Sequence, residues 1–75
     1  MLNLYELVAL RKDVEAKHLK AGDVGMVVHC YEDKNGYEIE FGNAEGETVA
    51  VLAMTEAYVQ KLTAKQILHV RDFAA

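Results

Sequence analysis

Lys34-Asn35-Gly36-Tyr37-Glu38-Ile39-Glu40-Phe41 holds a turn and a strand in consecutive residues. Asn-Gly accepts the two positive φ values of a type I′ turn, whose twist matches the strands on either side. Beyond it, Tyr37, Ile39 and Phe41 alternate with Glu38 and Glu40 without a slip. The three apolar side chains are predicted to face a core, and both glutamates water. Upstream, Val24-Gly25-Met26-Val27-Val28-His29-Cys30-Tyr31 reads as the preceding strand, with Val24, Met26, Val28 and Cys30 expected on its core side. Downstream, Gly42-Asn43-Ala44-Glu45-Gly46 makes a second turn, and a further strand runs from Glu47 to about Ala53. The centre of the chain is therefore a predicted three-stranded antiparallel meander.

The flanks are read from this centre. Residues 5–14 suit a first strand: Leu7 and Ala9 alternate with Val8 and Leu10, and Arg11-Lys12-Asp13 returns the chain to water. Residues 15–21 form a predicted surface loop pinned by Leu19, and Gly22-Asp23 is a turn signal. In the last third, Thr55 is placed to cap a helical turn through Tyr58, with Met54 and Val59 as a hydrophobic staple. Thr63-Ala64-Lys65-Gln66 fits a capping box flanked by Leu62 and Ile67. Two single-turn helices around a short strand at residues 59–62 use both signals. The competing reading is one helix over residues 55–68, with Thr63 in its interior. Ile67-Leu68-His69-Val70-Arg71 reads as a final strand.

Seventy-five residues make one predicted domain, spanning 1–75. Five or six short strands in that length fall short of a two-sheet sandwich, which takes about 100 residues. A flat open sheet would leave long edges and a wet apolar face. The economical answer is an all-β fold: a bent antiparallel sheet curling into a small barrel, with one or two single-turn helices near the C-terminus. Gly25 suits the bend, because an in-strand glycine often marks a bulge or barrel corner.

Composition narrows the function classes. The chain is 52% hydrophobic and 27% charged, the balance of a folded domain. A domain this short buries only about 60% of its unfolded surface, which leaves little core for a deep catalytic pocket. Eight basic residues against 12 acidic ones, net −4, disfavour general nucleic-acid binding. A lone cysteine makes no internal disulfide, no stretch approaches the about 20 apolar residues of a membrane span, and Met1-Leu2-Asn3-Leu4-Tyr5-Glu6 lacks a basic leader. A reducing cytoplasm is the expected compartment.

No reactive constellation emerges. Cys30, His18, His29 and His69 are the soft ligands, without Cys-x-x-Cys or His-x-x-x-His spacing. His29 and Cys30 are adjacent, so a strand sends them to opposite faces. Neither a metal, a cofactor nor a catalytic residue is expected, and the chain does not read as an enzyme. The acidic residues are the informative group. Glu32, Asp33, Glu38, Glu40, Glu45 and Glu47 fall within residues 32–47, opposed there by Lys34 alone. Glu38 and Glu40 share a strand face, and Glu47 joins them if the next strand pairs across the short turn. General acid–base work needs a cleft that separates two carboxyl groups in pKa, which an outer face does not offer. These six residues are instead the candidate contact surface for a basic protein partner, weighed against a solvated face that keeps the domain soluble.

Several segments taken together resemble a known family. Leu19-Lys20-Ala21-Gly22-Asp23-Val24-Gly25-Met26-Val27-Val28 is similar to the approach to strand two in SH3-like barrels. With Val8-Ala9-Leu10, Tyr37-Glu38-Ile39-Glu40-Phe41, Asn43-Ala44-Glu45-Gly46-Glu47-Thr48 and Leu62-Thr63-Ala64-Lys65-Gln66-Ile67-Leu68-His69-Val70-Arg71, it resembles a family of short bacterial proteins, frequent in cyanobacteria and known as a domain of unknown function. Two departures stand out: Val14-Glu15-Ala16-Lys17 lacks the proline many relatives carry there, and Met26 replaces a smaller or β-branched residue. The resemblance implies an SH3-like barrel without known catalytic residues, and a two-gene arrangement such as toxin and antitoxin.

The leading expectation is thus a protein-interaction module, an antitoxin or adaptor for the product of an adjacent gene. The alternatives are a nucleic-acid-binding barrel, using Arg11, Lys12, Lys17 and Lys20, and an accessory subunit of an enzyme. A homodimer is also expected, through strand edges or by covering Ile67, Leu68, Val70 and Phe73.

Overall fold

The computed structural model describes residues 2–32 and 36–73 of the chain. Lys34 and Asn35 of the predicted Asn-Gly turn lie outside these residues. Among the described residues there are five strands: β1 Leu7–Leu10, β2 Val24–Tyr31, β3 Gly36–Gly42, β4 Thr48–Thr55 and β5 Val59–Lys61. All pair antiparallel in one sheet of order β4-β3-β2-β1-β5. Single 3-10 turns occupy Glu15–Lys17 and Glu56–Tyr58, and no α-helix occurs among the described residues. The predicted all-β fold and its central meander, β2-β3-β4, are both present.

The inward side chains of the sheet feed one apolar cluster. Val8 and Leu10 come from β1, Val27 from β2, Tyr37, Ile39 and Phe41 from β3, and Val59 from β5; Leu2 and Leu19 add to it from outside the strands. From β4, Val49, Ala50, Leu52 and Met54 pack against it, half-buried. Tyr37 keeps its hydroxyl satisfied by accepting a hydrogen bond from the Leu2 amide at 3.2 Å. The β3 alternation holds as predicted, with Tyr37, Ile39 and Phe41 buried and the two glutamates on the opposite face.

The phase of β2 is corrected by the structure. Val27, not Met26, enters the core: Val27 is fully buried, whereas Met26 is 36% exposed. Gly25 occupies the inward position opposite Phe41. A Cβ there would lie 2.7 Å from Ile39 Cγ2 and 2.8 Å from Phe41 Cε1, so this glycine exists for close approach of the β3 side chains. The irregularity in β2 lies further on. Val27 opposes Ile39 while His29 opposes Glu38, leaving Val28 as the extra residue of a bulge. The bulge resets the alternation, so Cys30 returns to the core side, half-buried, as expected.

Four other expectations change. The first strand covers Leu7–Leu10 instead of residues 5–14. Tyr5 has a φ of 67°, outside strand geometry, and the Arg11 amide bonds the Tyr58 carbonyl at 2.8 Å where the chain turns off the sheet. Thr55 does precede a helical turn, but its side chain makes no capping bond. At Thr63 half of the capping box forms: Gln66 Oε1 accepts from the Thr63 amide at 2.7 Å, yet the chain makes only one turn. Finally, residues 67–71 are not a strand. They run as an irregular strap whose attachments are made by side chains.

Candidate functional site

Three strand registers place the acidic residues. Leu7 on β1 opposes Met26 on β2, Met26 opposes Glu40 on β3, and Glu40 opposes Val51 on β4. In this outward row Leu7, Met26 and Val51 remain 42%, 36% and 50% exposed, and the bulge at Val28 keeps the row beyond it on the same side. The next row is His29, Glu38 and Ala53. The outward face is therefore mixed, with two carboxylates set among exposed apolar side chains.

Each carboxylate has a local partner. Glu38 Oε2 accepts from the Tyr31 hydroxyl at 2.6 Å, and the His29 ring meets the Tyr31 ring edge-on at 4.6 Å between centroids. That bond, with the negative charge behind it, pushes the Tyr31 phenol above its ordinary pKa of 10.0. Glu40 accepts from the Thr48 hydroxyl. Glu47 sits at the end of the second turn, where its Oε1 accepts from Asn43 Nδ2 at 2.9 Å. Asn43 also accepts from the amides of Glu45 and Glu47 at 3.0 and 2.9 Å, an Asx arrangement that builds the turn.

A shallow groove of about 290 Å³ joins part of this set, lined among others by Leu7, Met26, Glu40, Glu47 and Thr48. Glu47 and Glu40 thus line one groove, though Glu47 sits in the turn before β4 and not in the paired strand. Glu38 lies one row further along the face. Glu45 does not line the groove, and Glu32 is exposed beyond the far end of β2. Asp33 lies outside the described residues.

The soft ligands are scattered. Cys30 Sγ approaches the Leu2 carbonyl at 3.9 Å on the core side, while His29 meets Tyr31 edge-on on the other. His18 meets Phe73 edge-on at 6.3 Å, and His69 lies against Asp23. Among the described residues no group of three or more His, Cys, Asp or Glu is gathered to hold a metal ion. Of the basic residues near β1, Arg11 donates from Nε to the Val59 carbonyl at 2.9 Å, and Lys12 Nζ stands 5.9 Å from the centre of the Tyr58 ring.

A second polar centre was not among the sequence candidates. Asp23 receives Arg71 Nε at Oδ1, 2.8 Å away, and Arg71 Nη2 at Oδ2. His69 Nε2 stands 3.2 Å from Oδ1, and the Lys20 amide donates to Oδ2 at 2.8 Å. The Arg71 guanidinium, then the Lys20 amide and the other partners, hold the Asp23 carboxyl below its ordinary pKa of 3.8 despite its partial burial. Arg71 also reaches the His18 carbonyl from Nη2 at 2.9 Å. These bonds lay residues 67–73 beside a depression of about 340 Å³ floored by Leu19, Val24, Phe41 and Val49. The sequence signals were Gly22-Asp23 and the alternating pair His69 and Arg71, but nothing local joins them.

Fold and face define a small all-β domain whose distinctive surface is an acidic, partly apolar sheet face. Residues 4–61 match a domain of unknown function, DUF4926, and the chain belongs to that family. The match ends where β5 ends, at Lys61, so the Arg71 strap lies beyond it. No curated protein and no solved structure matches the chain. Among the described residues no helix is long and apolar enough to cross a membrane.

Proposed function

We propose that the outward face of β1–β4 is the contact surface of a protein-interaction module, and that its partner presents a basic, partly apolar surface. One observation carries this reading: the cross-strand row Leu7, Met26, Glu40 and Val51, with the groove that brings in Glu47. Exposed apolar side chains set around carboxylates supply both elements of a contact. The apolar groups give area to bury, while the charges speed encounter and fix the register. The strand order, with a 3-10 turn between β4 and β5, supports the SH3-like barrel that the sequence resemblance implies. In this reading the domain is not an enzyme. It neutralises or recruits its partner, and the product of an adjacent gene, as in a toxin–antitoxin pair, is the first protein to examine.

The test is co-expression of the tagged chain with that neighbouring gene product. The reading expects a complex that purifies intact with the wild type and is lost with E38K/E40K. Equal recovery with the doubly reversed variant overturns it.

A further inference from the structure

We propose that β4 pairs antiparallel with β4 of a second copy of this chain, making an isologous dimer through a continuous sheet. β4 is the terminal strand of the sheet. Its eight residues, Thr48–Thr55, contain no charge and no proline, and no backbone group of β4 finds a partner beyond β3 among the described residues. Open edges are normally blunted by brevity, lysine or proline. The opposite edge obeys that rule: β5 has three residues and ends in Lys61, which is paired with Glu6 at 2.7 Å. β4 has one interruption, the bulge that leaves Val49 unopposed between Ala50 and Thr48, and its regular stretch from Ala50 to Thr55 is long, uncharged and open.

The occupant is argued from the strand itself. A two-fold axis centred on Leu52 places Val51 beside Ala53 of the second copy on the outward side, and Ala50 beside Met54 on the inward side. These central pairs are uncharged and apolar, and Val49 faces the uncharged Thr55 beyond them. The nearest glutamates, Glu38 and Glu40 on β3, are separated from their counterparts by three strand spacings, about 14 Å. That exceeds the screening length of about 8 Å at physiological salt, so like charges do not oppose the pairing. A second copy therefore fits this edge in both hydrogen bonding and charge. Val51 lies on both this edge and the proposed partner surface, but the dimer is read from the mass of the isolated chain, so its test does not depend on that partner.

The experiment is multi-angle light scattering of the full chain across concentration, with V51K/A53K as the variant. In one copy the two introduced lysines oppose Glu40 and Glu38, so the monomer keeps its fold. Across the two-fold axis they oppose one another twice. The wild type is expected at twice the 8.4 kDa chain mass, and the variant at the chain mass with association weakened about tenfold or more. Hydrogen exchange at residues 48–55 should slow with concentration in the wild type alone. A wild type that stays at the chain mass up to millimolar concentration overturns the proposal. So does a dimer that persists in the folded variant, which places the interface elsewhere.

Discussion

Met26 stands directly opposite Glu40 on the outward side of β2 and β3, while its neighbour Val27 stands opposite Ile39 inside the core. One position along β2 thus separates a surface side chain from a fully buried one. The face on which Glu38 and Glu40 sit owes its apolar surroundings to that phase, because it sends Met26 outward.

The phase is tested by paired substitutions. Val27→Ala removes two buried methyl groups and is expected to destabilise the domain by about 2 kcal/mol. For a domain of this size that lowers Tm by about 8–16 °C. Met26→Ala, at a partly exposed position, should stay within about 0.5 kcal/mol. Thermal unfolding followed by circular dichroism separates the two. The reverse order would mean that Met26 and Val28 carry the core side.

Gly25→Ala tests the close approach of β3. Its Cβ would come within 2.9 Å of the Glu40 carbonyl oxygen as well as the Ile39 and Phe41 side chains, and the backbone atom has nowhere to move. A loss of about 2–3 kcal/mol is expected from overpacking. Gly46→Ala is the control. Gly46 has a φ of +83° and nothing within 4 Å, so only the left-handed conformation is penalised, by about 1 kcal/mol. Denaturant unfolding of both variants should give the larger loss at Gly25; equal losses would remove steric contact as the reason for that glycine.

Asp23 and Arg71 make the strap separable from the sheet. Asp23→Asn leaves the guanidinium without its carboxylate, and trypsin cleavage after Lys65 is expected to speed up about tenfold through local opening. Acid should have the same effect. The native pKa of Asp23 is lowered, so the bond's contribution is complete above the unfolded-state value and disappears as pH falls through the native one. Proton NMR of Phe73 should therefore move toward its unstructured position below about pH 4 in the wild type, and be there already in the variant. Cleavage unchanged by the substitution would show that the strap is held by other contacts.

The sequence revealed β3 because nothing interrupts its alternation: Tyr37 to Phe41 contains no bulge and no apolar residue on the wet side. The same reasoning misplaced β2. Val24-Gly25-Met26-Val27-Val28 is apolar in both phases, and the residue that belongs opposite Phe41 is a glycine, which carries no hydropathic signal. The bulge at Val28 then restored Cys30 to the core side, so the C-terminal end of β2 fitted the expected phase while Val24, on the face of Met26, did not. Residues 67–71 have strand-like composition, but their attachments are the side chains of His69 and Arg71 on Asp23, up to 48 positions away. Of the acidic candidates, Glu38 and Glu40 were legible from spacing alone. The groove that joins Glu40 to Glu47, and the apolar residues beside it, depend on registers between strands that no local pattern specifies.

The outward face as a contact surface is tested most directly by the salt dependence of partner affinity. Kd for the co-expressed neighbouring protein would be measured with the wild type and with E38K/E40K at about 50 and 500 mM salt, spanning strong and weak screening. The account predicts that reversal raises Kd at least tenfold at low salt, and that the gap narrows sharply at high salt. Equal Kd values for the two proteins at both concentrations would contradict it.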